Sequence, residues 1–82
     1  MPTILTIHGF RVCIRTNDHG PAHVHVIGSD KEALFYLNCP NGPVELRENF
    51  NFKRAELNRV KAELDKELPH LCEKWREIHG DL

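Results

Sequence analysis

The chain has 82 residues, 40% of them hydrophobic and 28% charged, with a formal net charge of −1. That length holds one domain with a single core, spanning residues 1–82, and the composition excludes a disordered chain. The near-neutral balance excludes bulk attraction to nucleic acid or to an anionic membrane, and leaves only a local basic patch for such contacts.

Thr3-Ile4-Leu5-Thr6-Ile7 and Phe10-Arg11-Val12-Cys13-Ile14-Arg15 read as two strands joined by a tight hairpin at His8-Gly9. Alternation places Phe10, Val12 and Ile14 on one face of the second strand and Arg11, Cys13 and Arg15 on the other. A segment rich in Asn, Asp, Gly and Pro then leads into a third strand, His23 to Ile27. Gly28-Ser29-Asp30 is a turn, and Glu32 to Leu37 a fourth strand with Ala33, Phe35 and Leu37 facing one way. Asn41-Gly42 is a hairpin signal, after which Pro43 to Arg47 reads as a short fifth strand with its proline at the start.

From about Phe52 the apolar period changes from 2 to 3.6, with Leu57, Val60, Leu64, Leu68, Leu71, Trp75 and Ile78 on one stripe. Asn51 fits an N-cap and Gly80 a stop. Pro69 lacks a backbone donor and clashes with the preceding turn, so one kinked helix or two abutting helices are expected. The predicted architecture is α+β, an antiparallel meander of four to five strands packed on this C-terminal element.

Cys13, Cys39 and Cys72 are odd in number and form no CxxC pair, which excludes a zinc ribbon and a thioredoxin-like site. A disulfide framework is not expected either, and this points to a reducing compartment. Thr6, His8 and Arg11 interrupt the N-terminal apolar run, so neither a secretion signal nor a membrane anchor is expected. Cytoplasm is the expected location.

The chemistry-bearing stretch is Asn17-Asp18-His19-Gly20-Pro21-Ala22-His23-Val24-His25-Val26, which holds three of the six histidines. On a strand His23 and His25 share a face while Val24 and Val26 point the other way. Two imidazoles at that spacing can reach one ion, and His19 and Asp18 from the turn would add ligands, giving His19, His23, His25 and Asp18 as the candidate metal set. The same groups suit acid–base catalysis, because one imidazole can donate a proton while the other accepts. Arg11 and Arg15 would then stabilise developing negative charge, so His23, His25, Arg11 and Arg15 are the candidate catalytic set. The opposing reading is a half-buried strand whose histidines bond to backbone or to Asp18.

Elsewhere the bland reading prevails. Lys53, Arg54, Arg59 and Lys61 form a basic run at the helix start, but Glu56, Glu63 and Glu67 alternate with them as on a solvated face. Trp75 lies on the apolar stripe and reads as core, and Cys13 as a small inert residue.

Met1-Pro2-Thr3-Ile4-Leu5, Gly9-Phe10-Arg11, Asn17-Asp18-His19 and Pro21-Ala22-His23-Val24-His25-Val26 together resemble a small bacterial domain-of-unknown-function family numbered 4160. Ala33-Leu34-Phe35-Tyr36-Leu37, Ala55-Glu56-Leu57 and Trp75 are similar to its remaining blocks. The resemblance implies a stand-alone protein, often encoded beside a second small protein, and hence a toxin–antitoxin-like pair. It implies no established activity. The chain departs from the pattern at Cys39-Pro40-Asn41-Gly42, which lengthens a connection, at Lys53, and at Pro69.

The expected function is that of a small prokaryotic accessory protein, one component of such a pair, acting through a protein partner or nucleic acid. The partner is another protein or a second copy of the chain, with no membrane. The alternatives are a small ribonuclease or metal-dependent hydrolase using His19, His23 and His25, and a non-catalytic interaction module. No cofactor is required by the sequence, and a divalent metal is the one the histidine cluster would take.

Overall fold

The computed structural model describes residues 3–80, so the Met1-Pro2 block of the resemblance lies outside the described residues. Five strands, β1 (Thr3–Ile7), β2 (Phe10–Cys13), β3 (His23–Ile27), β4 (Glu32–Tyr36) and β5 (Glu45–Phe50), precede two helices, α1 (Arg54–Lys66) and α2 (Leu68–His79). The strands form one antiparallel sheet in the order β1-β2-β3-β4-β5, the meander expected from the alternating patterns. His8 and Gly9 carry φ values of 50° and 83° between β1 and β2. Positive φ at both positions is what a two-residue hairpin turn of matching twist requires, and glycine takes it without steric cost.

Strand pleating separates two faces. The register sets Val12 opposite Val26, Val24 opposite Phe35 and Val26 opposite Ala33. These residues are buried and share one apolar cluster with Val60, Leu64, Leu71 and Trp75 of the helices. The helices therefore cover this face, and each large side chain buried there contributes about 1.5–3 kcal/mol. The other face carries Cys13 opposite His25, His25 opposite Leu34, and His23 opposite Tyr36.

Several boundaries differ from the sequence expectation. β2 ends at Cys13 rather than Arg15, because Arg15 turns the chain: its carbonyl accepts the Asp18 N–H at 3.2 Å. β4 ends at Tyr36, one residue early, although Leu37 N–H still donates to the Ala22 carbonyl at 2.9 Å. β5 runs from Glu45 to Phe50 instead of Pro43 to Arg47. The loop before it closes on itself and on α1 first. Gly42 N–H donates to the Asn38 carbonyl, Asn38 Nδ2 to the Pro43 carbonyl, and Val44 N–H to Asp65 Oδ1 at 2.8 Å. Gly42 has φ 70°, and a Cβ there would sit 2.7 Å from Leu68 Cδ2.

Asn51 is not the N-cap of α1. It has φ 71° and donates from Nδ2 to the Asp30 carbonyl, while Lys53 occupies the cap position. Lys53 N–H donates to Glu56 Oε1 at 2.9 Å, half of a capping box, and Lys31 Nζ donates to the same carboxylate. Those donors hold the Glu56 carboxyl below its ordinary value of 4.5, the Lys53 N–H contributing most. Pro69 produces two helices separated at Glu67, and sits in the first turn of α2 where no backbone donor is needed. Gly80 ends α2 in the left-handed conformation, as expected.

The cysteines require a larger correction. Cys39 in the β4–β5 loop and Cys72 on α2 form a disulfide, with Cα atoms 5.9 Å apart, and Cys13 is free and buried. Their separation of 33 residues carries no sign of proximity, which only the docking of the loop on α2 creates. The cysteine argument for a reducing compartment therefore falls. Among the described residues no helix is long and apolar enough to cross a membrane.

Candidate metal and catalytic centre

The loop between β2 and β3 brings Asp18 against the strand face that carries His23 and His25. Arg15 N–H donates to Asp18 Oδ2 at 3.2 Å while the Arg15 carbonyl accepts from Asp18 N–H, so a tight reciprocal turn fixes the carboxylate. His23 Nε2 and His25 Nε2 each lie 3.2 Å from that same Oδ2. One ligand atom from each of the three residues lies within 4.8 Å of the others. The group is largely enclosed, with side-chain exposures of 14% for Asp18, 11% for His23 and 7% for His25.

The other ring nitrogens are committed. His23 Nδ1 lies 2.8 Å from the Pro21 carbonyl, which can only accept, so Nδ1 carries the proton. His25 Nδ1 lies 3.3 Å from Glu32 Oε2 and donates to that carboxylate. Arg15 Nη2 donates to the same Oε2 at 3.1 Å. With Nδ1 protonated, a neutral imidazole presents its Nε2 lone pair. Two such lone pairs and a carboxylate oxygen then face one point, an arrangement of three acceptors with no donor. Either extra protons on both rings or a cation between the three atoms satisfies it.

Rings hold the imidazoles in place. His23 packs against Trp75 with centroids 5.1 Å apart and against His25 at 5.3 Å. His79 stacks on Trp75 at 4.1 Å and donates from Nε2 to the Arg15 carbonyl at 3.1 Å. The C-terminal turn of α2 thereby ties down the loop that carries Asp18. Trp75 is core, as expected, and it is also a wall of this centre.

Of the candidate residues, the fold brings together Asp18, His23 and His25, with Arg15 one residue away through Glu32. His19 is exposed and stands outside the cluster. Arg11 shares the His25 face one pair further along β2, opposite Ile27, but is exposed and makes no ion pair among the described residues. As site residues, Glu32 and His79 are absent from the sequence expectation, which gives Trp75 as core alone. Glu32 was within reach of it: β4 alternation sets Glu32 on the side of Leu34, and the register puts Leu34 opposite His25. Trp75 and His79 share an i, i+4 helix face, but nothing local to α2 shows what that face meets.

Comparison with known proteins adds one result. No curated protein and no solved structure matches the chain. The domain of unknown function DUF4160 matches residues 9–76, a span that holds Asp18, His23, His25, Glu32 and Trp75 and stops before His79 at the end of α2. The chain belongs to that family, as its Asn-Asp-His and His-Val-His-Val blocks suggested.

Proposed function

We propose that the protein is a small hydrolase, acting on RNA phosphodiester bonds as the effector half of a toxin–antitoxin-like pair. The observation that carries the reading is the convergence of His23 Nε2 and His25 Nε2 on one Asp18 oxygen, each at 3.2 Å. Groups that activate water or move protons need this closeness, held by partners that fix each ring. Arg15 at the rim, and Arg11 further along the same face, are the cations that would meet a phosphate. The pairing with a second protein is supported by the edge strand β5, every residue of which is exposed, with Phe50 65% and Leu46 40% accessible. An open strand edge with apolar side chains suits docking by another chain.

The test is cleavage of a fluorescent single-stranded RNA by protein purified without a histidine tag. His23→Ala and His25→Ala should each lower the rate by at least about 10²-fold, the scale of a lost acid–base or activating group. Equal cleavage by wild type and both variants ends the hydrolase reading. Inhibition by the product of an adjacent gene, co-purified with this chain, is the expected sign of the pair.

A further inference from the structure

We infer that Asp18, His23 and His25 bind one divalent transition-metal ion of the zinc class, through Oδ2 and the two Nε2 atoms, with Glu32 positioning His25. The inference concerns the centre of the hydrolase reading and rests on that reading only for the use made of a metal-bound water. Three observations converge on it, and none comes from the spacing of the histidines.

The first is the protonation pattern. Pro21 O takes the His23 Nδ1 proton and Glu32 takes that of His25, at 2.8 and 3.3 Å. Both rings are thereby turned with Nε2 towards Asp18. Metal-ligating histidines are held in this way, with the far nitrogen donating to a carbonyl or carboxylate. One ring here has each kind of partner.

The second is distance. The edge of a tetrahedron built on zinc–ligand bonds of 2.0–2.1 Å is about 3.3 Å. Both nitrogen–oxygen separations are 3.2 Å. The three ligand atoms lie within 4.8 Å of one another, so the two imidazoles close towards each other as an ion enters while the carboxylate oxygen is already in place.

The third is the donor set and its enclosure. Two imidazoles and one carboxylate form a three-ligand set that leaves a position for water, and imidazole nitrogen favours transition ions over magnesium or calcium. The rings of Trp75 and Tyr36 border His23, so the strand side of the centre is apolar while Asp18 retains some exposure to solvent. Glu32 is a positioning residue. It holds the His25 ring, and Arg15 in turn holds Glu32.

The test uses the full chain without a histidine tag, stripped with a chelator and titrated with zinc by calorimetry and with cobalt by visible absorption. One ion per chain is expected, with a cobalt spectrum of tetrahedral character. Binding should vanish in His23→Ala and in Asp18→Asn. It should weaken about 10–100-fold in Glu32→Gln, the usual effect of removing a partner of a ligating histidine. It should persist in His19→Ala. Asp18→Asn keeps the shape of the side chain, and its amide can donate to the Nε2 lone pairs, so its circular dichroism and thermal midpoint check that the fold survives. Nitrogen-15 NMR of the stripped protein gives a readout independent of activity: His23 and His25 should show the Nδ1–H tautomer, with Nε2 resonances that shift when zinc is added.

Absence of binding at millimolar zinc overturns the inference, as does binding that survives in both His23→Ala and Asp18→Asn. RNA cleavage by chelated protein would overturn the use of a metal-bound water and leave the hydrolase reading standing. A bound ion with no cleavage of RNA would do the reverse.

Discussion

Strand β3 is buried on both faces, and the two faces are held by different physics. Val24 and Val26 point to the helices and are enclosed by carbon on every side. His23 and His25, their immediate neighbours, point to the loop and are enclosed by a carboxylate, a carbonyl and aromatic rings. Burial of the valines is favourable for any well-packed neighbour, whereas burial of an imidazole is tolerated only where each nitrogen meets the right partner. Among the described residues every buried side-chain nitrogen or oxygen has a polar neighbour within hydrogen-bond distance, and at Asp18 Oδ2 the two Nε2 atoms need protons or a cation to complete the pairing. The loop from Ile14 to Ala22 supplies Asp18 and the Pro21 carbonyl, β4 supplies Glu32, and α2 holds the loop in turn. One face therefore gives stability, and the other holds reactive groups close together.

The comparison can be broken most forcefully from the apolar side. Phe35 lies opposite Val24 and is 1% exposed. Phe35→Ala should cost about 3–5 kcal/mol in urea unfolding. Zinc affinity of the fraction that stays folded should be unchanged, and a large loss of affinity would show that the faces are not separable. Opening the Cys39–Cys72 bridge with a reductant comes next. A loop of 33 residues gives about 3–4 kcal/mol in the chain-entropy account. The loss should appear in the thermal midpoint, while the His23 and His25 resonances stay in place.

A smaller effect sharpens the polar side. His79→Ala removes the hydrogen bond to the Arg15 carbonyl and the ring stacked on Trp75. The expected cost is about 1 kcal/mol, with faster amide exchange at Arg15 and Asp18 than in the sheet. Uniform exchange across the chain would show that α2 does not hold the loop. The smallest effect is at acid pH. Glu56 is held below its ordinary 4.5 by the Lys53 N–H and by Lys31. Asp65 is opposed by burial but is still lowered, from 3.8, by the Val44 N–H and Lys61. A depressed folded value means stability that is present above the ordinary value and lost as pH falls through the lowered one. The urea midpoint should therefore fall as pH drops below about 4.5, and Glu56→Gln should flatten the first part of that fall.

Much of this molecule was legible because its elements repeat a period. Alternation located β1 and β3 to the residue, and the 3.6 stripe ran through Pro69 without a change of phase. The missed boundaries lie where side chains compete with the ladder. Asp65 draws the Val44 N–H away from β5, and Asn51 turns to Asp30 instead of capping α1. No local pattern encodes a partner twenty residues away.

What the sequence determined alone is the sharing of a face by His23 and His25, the family blocks around them, and a meander followed by a helical pair. Each follows from backbone geometry or from residues adjacent in the chain. Only the tertiary structure decided that Asp18 joins the histidines while His19 does not, that Glu32 and Pro21 set their protons, and that Cys39 meets Cys72. Those are contacts between elements, set by how the loops and α2 dock on the sheet.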